Sequence, residues 1–159
     1  MRDVDPLDLV ETIREGILVL EPDLTIRFAN RSFCHTFAVA PEHIVGRKLY
    51  EIGNGQWDIP KLRTSLETII SGRKTIEGFE AEYFFPSIGR RIMVLNARKV
   101  YQPGNKIQQI LLAIEDVTER ARLERLRKIG VPLDNALGLL RDMHSLLETM
   151  RVHVKRLSN

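Results

Sequence analysis

Cys34, His35, His43 and His144 are the side chains best equipped for nucleophilic, acid–base or metal chemistry in this 159-residue chain. Their setting withholds most of it. Cys34 is the only cysteine, so it can form no internal disulfide and has no thiol partner for a structural zinc site. It lies beside Phe33 on a short apolar stretch, where a thiol behaves as a small hydrophobe. No paired carboxylates, nucleophile–base arrangement or phosphate-cradling glycine motif has a spacing that would support catalysis, and no metal site is expected. These residues predict a protein that is not an enzyme.

Composition narrows the class further. Hydrophobic residues at 43% and charged residues at 28% are ordinary for a folded chain, and the length allows one domain with a real core plus an appendage. The 24 basic and 21 acidic residues are interspersed, whereas phosphate binding asks for a clustered basic stripe, so no nucleic-acid partner is expected. Arg151, Lys155 and Arg156 read as a solvated helix face. With no apolar run of 18 residues, and an acidic start at Met1–Pro6, neither a membrane span nor export is expected. A reducing, cytoplasmic setting fits the lone thiol.

The elements that must position any site follow from periodicity. Leu7, Val10 and Ile13 predict a short helix over 6–15 that lies across the domain, ended by Gly16. Two apolar runs, 16–20 and 24–29, flank a Pro-Asp turn and predict a hairpin. Asn30 is placed to cap a helix carrying Phe33 and Phe37, Pro41 starts another short helix, and Gly46 breaks it. After a loop at 53–58, residues Leu62, Leu66, Ile69 and Ile70 mark a longer helix over 59–71 that Gly72 stops. Strands are predicted over 76–85, 90–101 and 106–117, with turns at 86–89 and 102–105. The middle one is apolar on both faces near its centre, as a strand covered on both sides or facing a cavity would be. Residues 118–128 are helical in composition, with Thr118 as the cap.

Phe28-Ala29-Asn30, Ile44-Val45-Gly46-Arg47 and above all Ile114-Glu115-Asp116-Val117-Thr118-Glu119-Arg120 carry a likeness. The chain resembles a PAS domain, the last stretch looking like the Asp-Ile-Thr-Glu-Arg ending by which such domains pass into a signalling helix. Residues 53–58, 84–91 and 95–98 are similar to PAS segments of sensor kinases and receptor-methylation fusion proteins. The resemblance implies an α+β fold, a five-stranded antiparallel sheet with helices on one face and a helical tail, but no activity, since function resides in a site.

It also implies where a site would lie. Phe28, Phe33, Phe37, Trp57, Leu66, Phe79, Met93, Leu95 and Leu112 either line a cavity between sheet and helices or fill the core. Asp116, Thr118, Glu119 and Arg120 form the junction to the exit helix, Asp116 resembling the family's acidic hinge that pairs with a basic side chain, or serving as an ordinary turn residue. The light-sensing members carry their flavin-reactive cysteine in a motif after the helical cluster, where this chain has 53–58 instead, so a photoactive flavin is disfavoured. Haem is disfavoured too, because the helix over 59–71 has no histidine.

The tail is the expected output. Beyond Gly130-Val131-Pro132, a helix breaker, Leu133, Leu140, Leu147 and Val154 occupy one heptad position, and Ala136, Met143, Met150 and Leu157 the other. Leu137, Leu139 and Leu146 widen the stripe, and Leu126 and Ile129 keep its phase across the break. Such a stripe calls for a partner helix, so a homodimer is expected, with folding back on the sheet as the alternative. The organisation is a sheet domain over 1–117, a signalling helix and hinge over 118–131, and a dimerisation tail over 132–159. The expected function is a bacterial sensory module that binds a small ligand or a partner such as a kinase or regulator. Two alternatives remain: the input half of a histidine kinase with His144 as phosphoacceptor, although no His-Glu or His-Asp pair followed by Thr-Pro or Asn-Pro is present, and a ligand-free interaction adaptor.

Overall fold

Runs of branched and aromatic residues at period two supply five strands, and between the second and third Asn30 caps one helix while Pro41 and Pro60 start two others. The computed structural model describes residues 5–72, 75–101, 104, 108–130 and 132–157. Two units, 1–117 and 118–159, divide at Thr118. In order, the first contains α1 (Pro6–Glu11), β1 (Gly16–Leu20), β2 (Ile26–Ala29), α2 (Arg31–Thr36), α3 (Pro41–Ile44), a 3₁₀ segment (Leu49–Gly55), α4 (Pro60–Ser71), β3 (Thr75–Phe85), β4 (Gly89–Tyr101) and β5 (Gln108–Asp116). The second contains α5 (Thr118–Lys128) and α6 (Leu133–Leu157).

The sheet order is β2-β1-β5-β4-β3 with every neighbour antiparallel, which puts β5 in the middle although it comes last. One face of that sheet is dry. Leu18, Leu20, Met93, Leu95, Ala97, Ile110, Leu112 and Ile114 point into it and meet Phe33, Phe37, Ile44, Trp57, Leu62 and Leu66 from the intervening helices and loop. At 25 cal/mol per Å² of apolar area, each of the larger of these side chains contributes roughly 1.5–3 kcal/mol, which makes this layer the main stabiliser of the first unit. On β4 the opposite face is only partly covered: Ile92 is buried, Val94 half-buried and Asn96 exposed.

Two irregularities decide which side chains reach the core. β1 and β2 lose register between Val19 and Leu20, so that Leu20 pairs with Ile26 while Val19 pairs with Phe28. The extra residue sends Ile26 and Ala29 inward and leaves Phe28 half-buried on the other face with Val19. A second slip, between Ile76 and Phe79, is turned by Gly78 at φ 62° and held by Gly78 N–H donating to Asn96 Oδ1 at 2.7 Å.

Several boundaries differ from expectation for local reasons. α1 ends at Glu11 rather than 15, with the Thr12 hydroxyl and N–H both turned back to the Leu9 carbonyl. It buries no side chain, and Leu7, Leu9 and Ile13 are exposed. β2 starts at Ile26 because Leu24 adopts φ 67° to put its side chain into the core. α5 begins at Thr118 itself, and it closes on Gly130 at φ 80°, whose N–H donates to Arg127 O. The exit helix and the tail are therefore two helices. The expected turn at 102–105, Gly104 apart, and the strand start at 106–107 lie outside the described residues, as do the side chains of Leu133, Ala136 and Leu157. No helix among the described residues is long and apolar enough to cross a membrane.

Candidate functional site

Five aromatic rings, from α2 and its C-cap, the turn at Trp57 and β3, meet under the sheet. The Phe33–Phe37 spacing on α2 stacks those rings at 4.8 Å, Trp57 lies 4.7 Å from Phe37 and 5.5 Å from Phe33, and Phe85 at the end of β3 stands 5.2 Å from Trp57. Tyr83 closes the set against Phe85 at 5.5 Å. Contacts at these distances and tilts add to the area term. Phe33, Phe37, Trp57, Leu66, Met93, Leu95 and Leu112 all belong to this core, Phe79 packs at its margin, and Phe28 lies outside it. Phe85 was not among the sequence candidates; it shares the inward phase of Ala81, and that alternation was its only signal.

Asn30 does more than cap α2. Its Oδ1 accepts from Phe33 N–H at 3.0 Å and from Ile17 N–H at 2.8 Å, while Nδ2 donates to the carbonyls of Val10 at 3.2 Å and Glu15 at 3.0 Å. One fully buried amide thus ties the N-terminal segment, β1 and α2 together with all its hydrogen-bonding capacity in use. The same corner is tightened by Arg31 N–H on Glu11 Oε2 at 2.6 Å, the Ser32 hydroxyl on Arg14 O, and Gly16, where an added Cβ would come within 3.2 Å of the Phe33 backbone.

The second cluster is the end of β5. Ile110, Leu112 and Ile114 belong to the core, Asp116 pairs with Met93 across β4, and Val117 N–H donates to Ile92 O at 2.9 Å before α5 begins. Arg91 Nη1 stands 3.7 Å from Asp116 Oδ2, an ion pair at the rim rather than in the core. Arg91 is the basic partner that the hinge reading asks for, and it was not singled out from the sequence. Val117 and Thr118 are buried; Glu119 and Arg120 are exposed in the first turn of α5, where the acidic Glu119 suits the helix dipole. Beside the junction, Arg14, Glu15, Thr36, Glu115 and Asp116 border an open polar cleft of about 420 Å³. A second open groove of about 280 Å³ runs past Ile76, Asn96 and Leu111. None of the nine pocket candidates borders either of these.

Burial pushes the Cys34 thiol up, and the carboxylates of Glu11 and Glu42 add to that, so the thiolate is disfavoured. Burial also pushes the Tyr50 hydroxyl up to about 12 against the opposing pull of the Arg63 guanidinium. In the second unit, Met143, Leu146, Leu147, Met150 and Val154 of α6 are 51%, 64%, 55%, 62% and 61% exposed, Leu140 is half-buried, and His144 is exposed among them.

A family model described as the PAS fold matches residues 10–122. Among solved structures, the PAS domain of an HTR-like protein from Haloarcula marismortui is similar, with a TM-score of 0.55 and 20% identity over 69% of this chain and 87% of that one. The PAS domain of a two-component sensor histidine kinase gives 0.53 and 14%, over 69% and 91%. VqmA bound to DPO gives 0.60 and 11%, over 90% and 79%. A search of curated proteins returns no match.

Proposed function

This chain belongs to the PAS-fold family, and we propose that within it the protein is a sensory and relay module with no catalysis of its own. The sheet domain takes a small ligand or a partner protein, the change passes through Asp116 and Thr118, and the helical tail answers by associating with a second copy. The observation that carries this reading is the position of β5. It is the middle strand, it supplies three core side chains, and a single residue separates its last position from the first turn of α5. A core that repacks around a ligand must shift Ile110, Leu112 or Ile114, and interiors at crystal-like density transmit such shifts rather than absorb them. The likeness to a sensor-kinase domain and to a ligand-bound VqmA supports the same reading.

The homodimer rests on the exposed stripe. A helix with an apolar face of this length is marginal alone in water and gains stability from a facing helix. The bacterial, cytoplasmic setting is part of the proposal. Native mass spectrometry of freshly purified chain tests both halves at once: a dimer carrying a retained small-molecule mass is expected, and a bare monomer contradicts it.

A further inference from the structure

The apolar seam of α6 suits a second copy running in either direction. Laid parallel, each seam residue meets itself; reversed about a two-fold axis, Leu140 meets Met150 and Met143 meets Leu147, with the heptads still in step. The residues beside the seam are not so indifferent. On one flank stand Leu139, Leu146 and His153, and on the other Leu137, His144 and Arg151, all of them exposed. A parallel pair crosses the flanks, which lays Leu139 against His144 of the second copy and Leu146 against its Arg151. A reversed pair matches each flank to itself, so that Leu146 meets Leu146 and His144, formally neutral at pH 7, meets His144. Leu139 and Leu137 then lie against His153 and Arg151. Reversal is thus the arrangement that gives a flanking leucine an apolar neighbour.

Charge along the helix points the same way. In the first half of α6, Asp134 and Asp142 outweigh Arg141; in the second half, Arg151 and Lys155 outweigh Glu148, which stands 3.8 Å from Arg151. Parallel copies set acidic half beside acidic half and basic beside basic, whereas reversed copies bring opposite signs together. Rim charges of this kind add little to affinity but choose between orientations.

We propose that the copy covering the stripe on α6 lies antiparallel to it, in the register that sets Leu140 against Met150 and brings Leu146 to Leu146 across the two-fold axis. The inference rests on the proposed dimer and gives its contact a direction. The 25 residues of α6 make about 37 Å of helix, so the two chains enter the pair from opposite ends, each through its own α5.

Pulsed electron paramagnetic resonance on the full chain measures that direction. Cys34, the single native cysteine, is changed to Ser, and one nitroxide is placed on the outward face through Ser145→Cys or Val152→Cys. In the antiparallel pair residue 145 lies level with its own copy, while residue 152 is offset from its copy along the axis by about 21 Å, so the distance at 152 should be clearly the longer. Equal distances at the two positions overturn the antiparallel order and leave the dimer standing; no intermolecular distance at either position overturns the dimer itself. Leu146→Glu provides a second reading. It sets two carboxylates together across the axis of an antiparallel pair and should raise the dimer Kd about tenfold. In a parallel pair the same carboxylate would face Arg151 of the second copy, so an unchanged or lower Kd overturns the proposal.

Discussion

The two units spend their apolar residues in opposite ways. In the first, Phe33, Phe37, Trp57, Phe85 and the inward residues of β1, β4 and β5 cover one another, and the chain supplies both sides of every contact. In the second, α6 lines up residues of the same kind and leaves them in water. On the proposed reading, stability of the first is a property of one chain, and that of the second depends on what meets it. A relay needs this asymmetry, because a tail already satisfied within its own chain would have no second state for the sheet domain to bias.

The contrast is broken most severely by emptying the aromatic cluster. Phe37→Ala should cost the first unit about 3–5 kcal/mol, read by urea denaturation with Trp57 fluorescence as the probe. Tail association, measured on the same protein below its unfolding midpoint, should persist. Asn30→Ala comes next. It orphans the N–H groups of Ile17 and Phe33 and two carbonyls, so a loss of about 2–3 kcal/mol is expected. Asn30→Asp, which keeps the acceptor and loses the donor, should fall between that variant and the unsubstituted chain.

Alkaline titration sharpens the comparison, since Tyr50, Tyr83 and Tyr101 all lie in the first unit. Tyr50 is raised from 10 to about 12 in the folded chain, so unfolding releases its proton more readily. Its contribution to stability is complete below pH 10 and is lost as pH rises through about 12; phenolate absorbance against denaturant midpoint should show the two moving together. The smallest effect belongs to the junction. Arg91→Gln removes an ion pair at the rim and should cost the first unit under about 1 kcal/mol, while uncoupling the tail's association from ligand binding in the sheet domain.

What could be read from residues alone was whatever depends on period and punctuation. The three-and-four spacing of Leu62, Leu66 and Ile69 marked α4, Met93 and Leu95 stood out as core or cavity candidates although β4 is apolar on both faces, and the motif from Ile114 to Arg120 pointed to the fold and to the strand-to-helix passage. What depends on a single slip of register could not be read so. Phe28 turns outward because one extra residue enters β2 opposite β1, and no pattern within β2 announces it. Long-range polar bonds were hidden for a related reason. The cap made by Asn30 was visible, whereas its bonds to Ile17, Val10 and Glu15 join residues 13 to 20 positions apart and need the corner to exist first. Arg91 and Tyr50 became meaningful only once β4 met β5 and α4 met the 3₁₀ segment.

The claim on which the rest depends is that a second copy covers the stripe on α6. Sedimentation equilibrium over a wide concentration range, comparing the unsubstituted chain with the Leu140→Asp, Leu147→Asp double variant, tests it most directly. A concentration-dependent dimer that becomes a monomer in the variant, with the thermal melt of the sheet domain unchanged, is the predicted result. A monomer at every concentration in both proteins would contradict it.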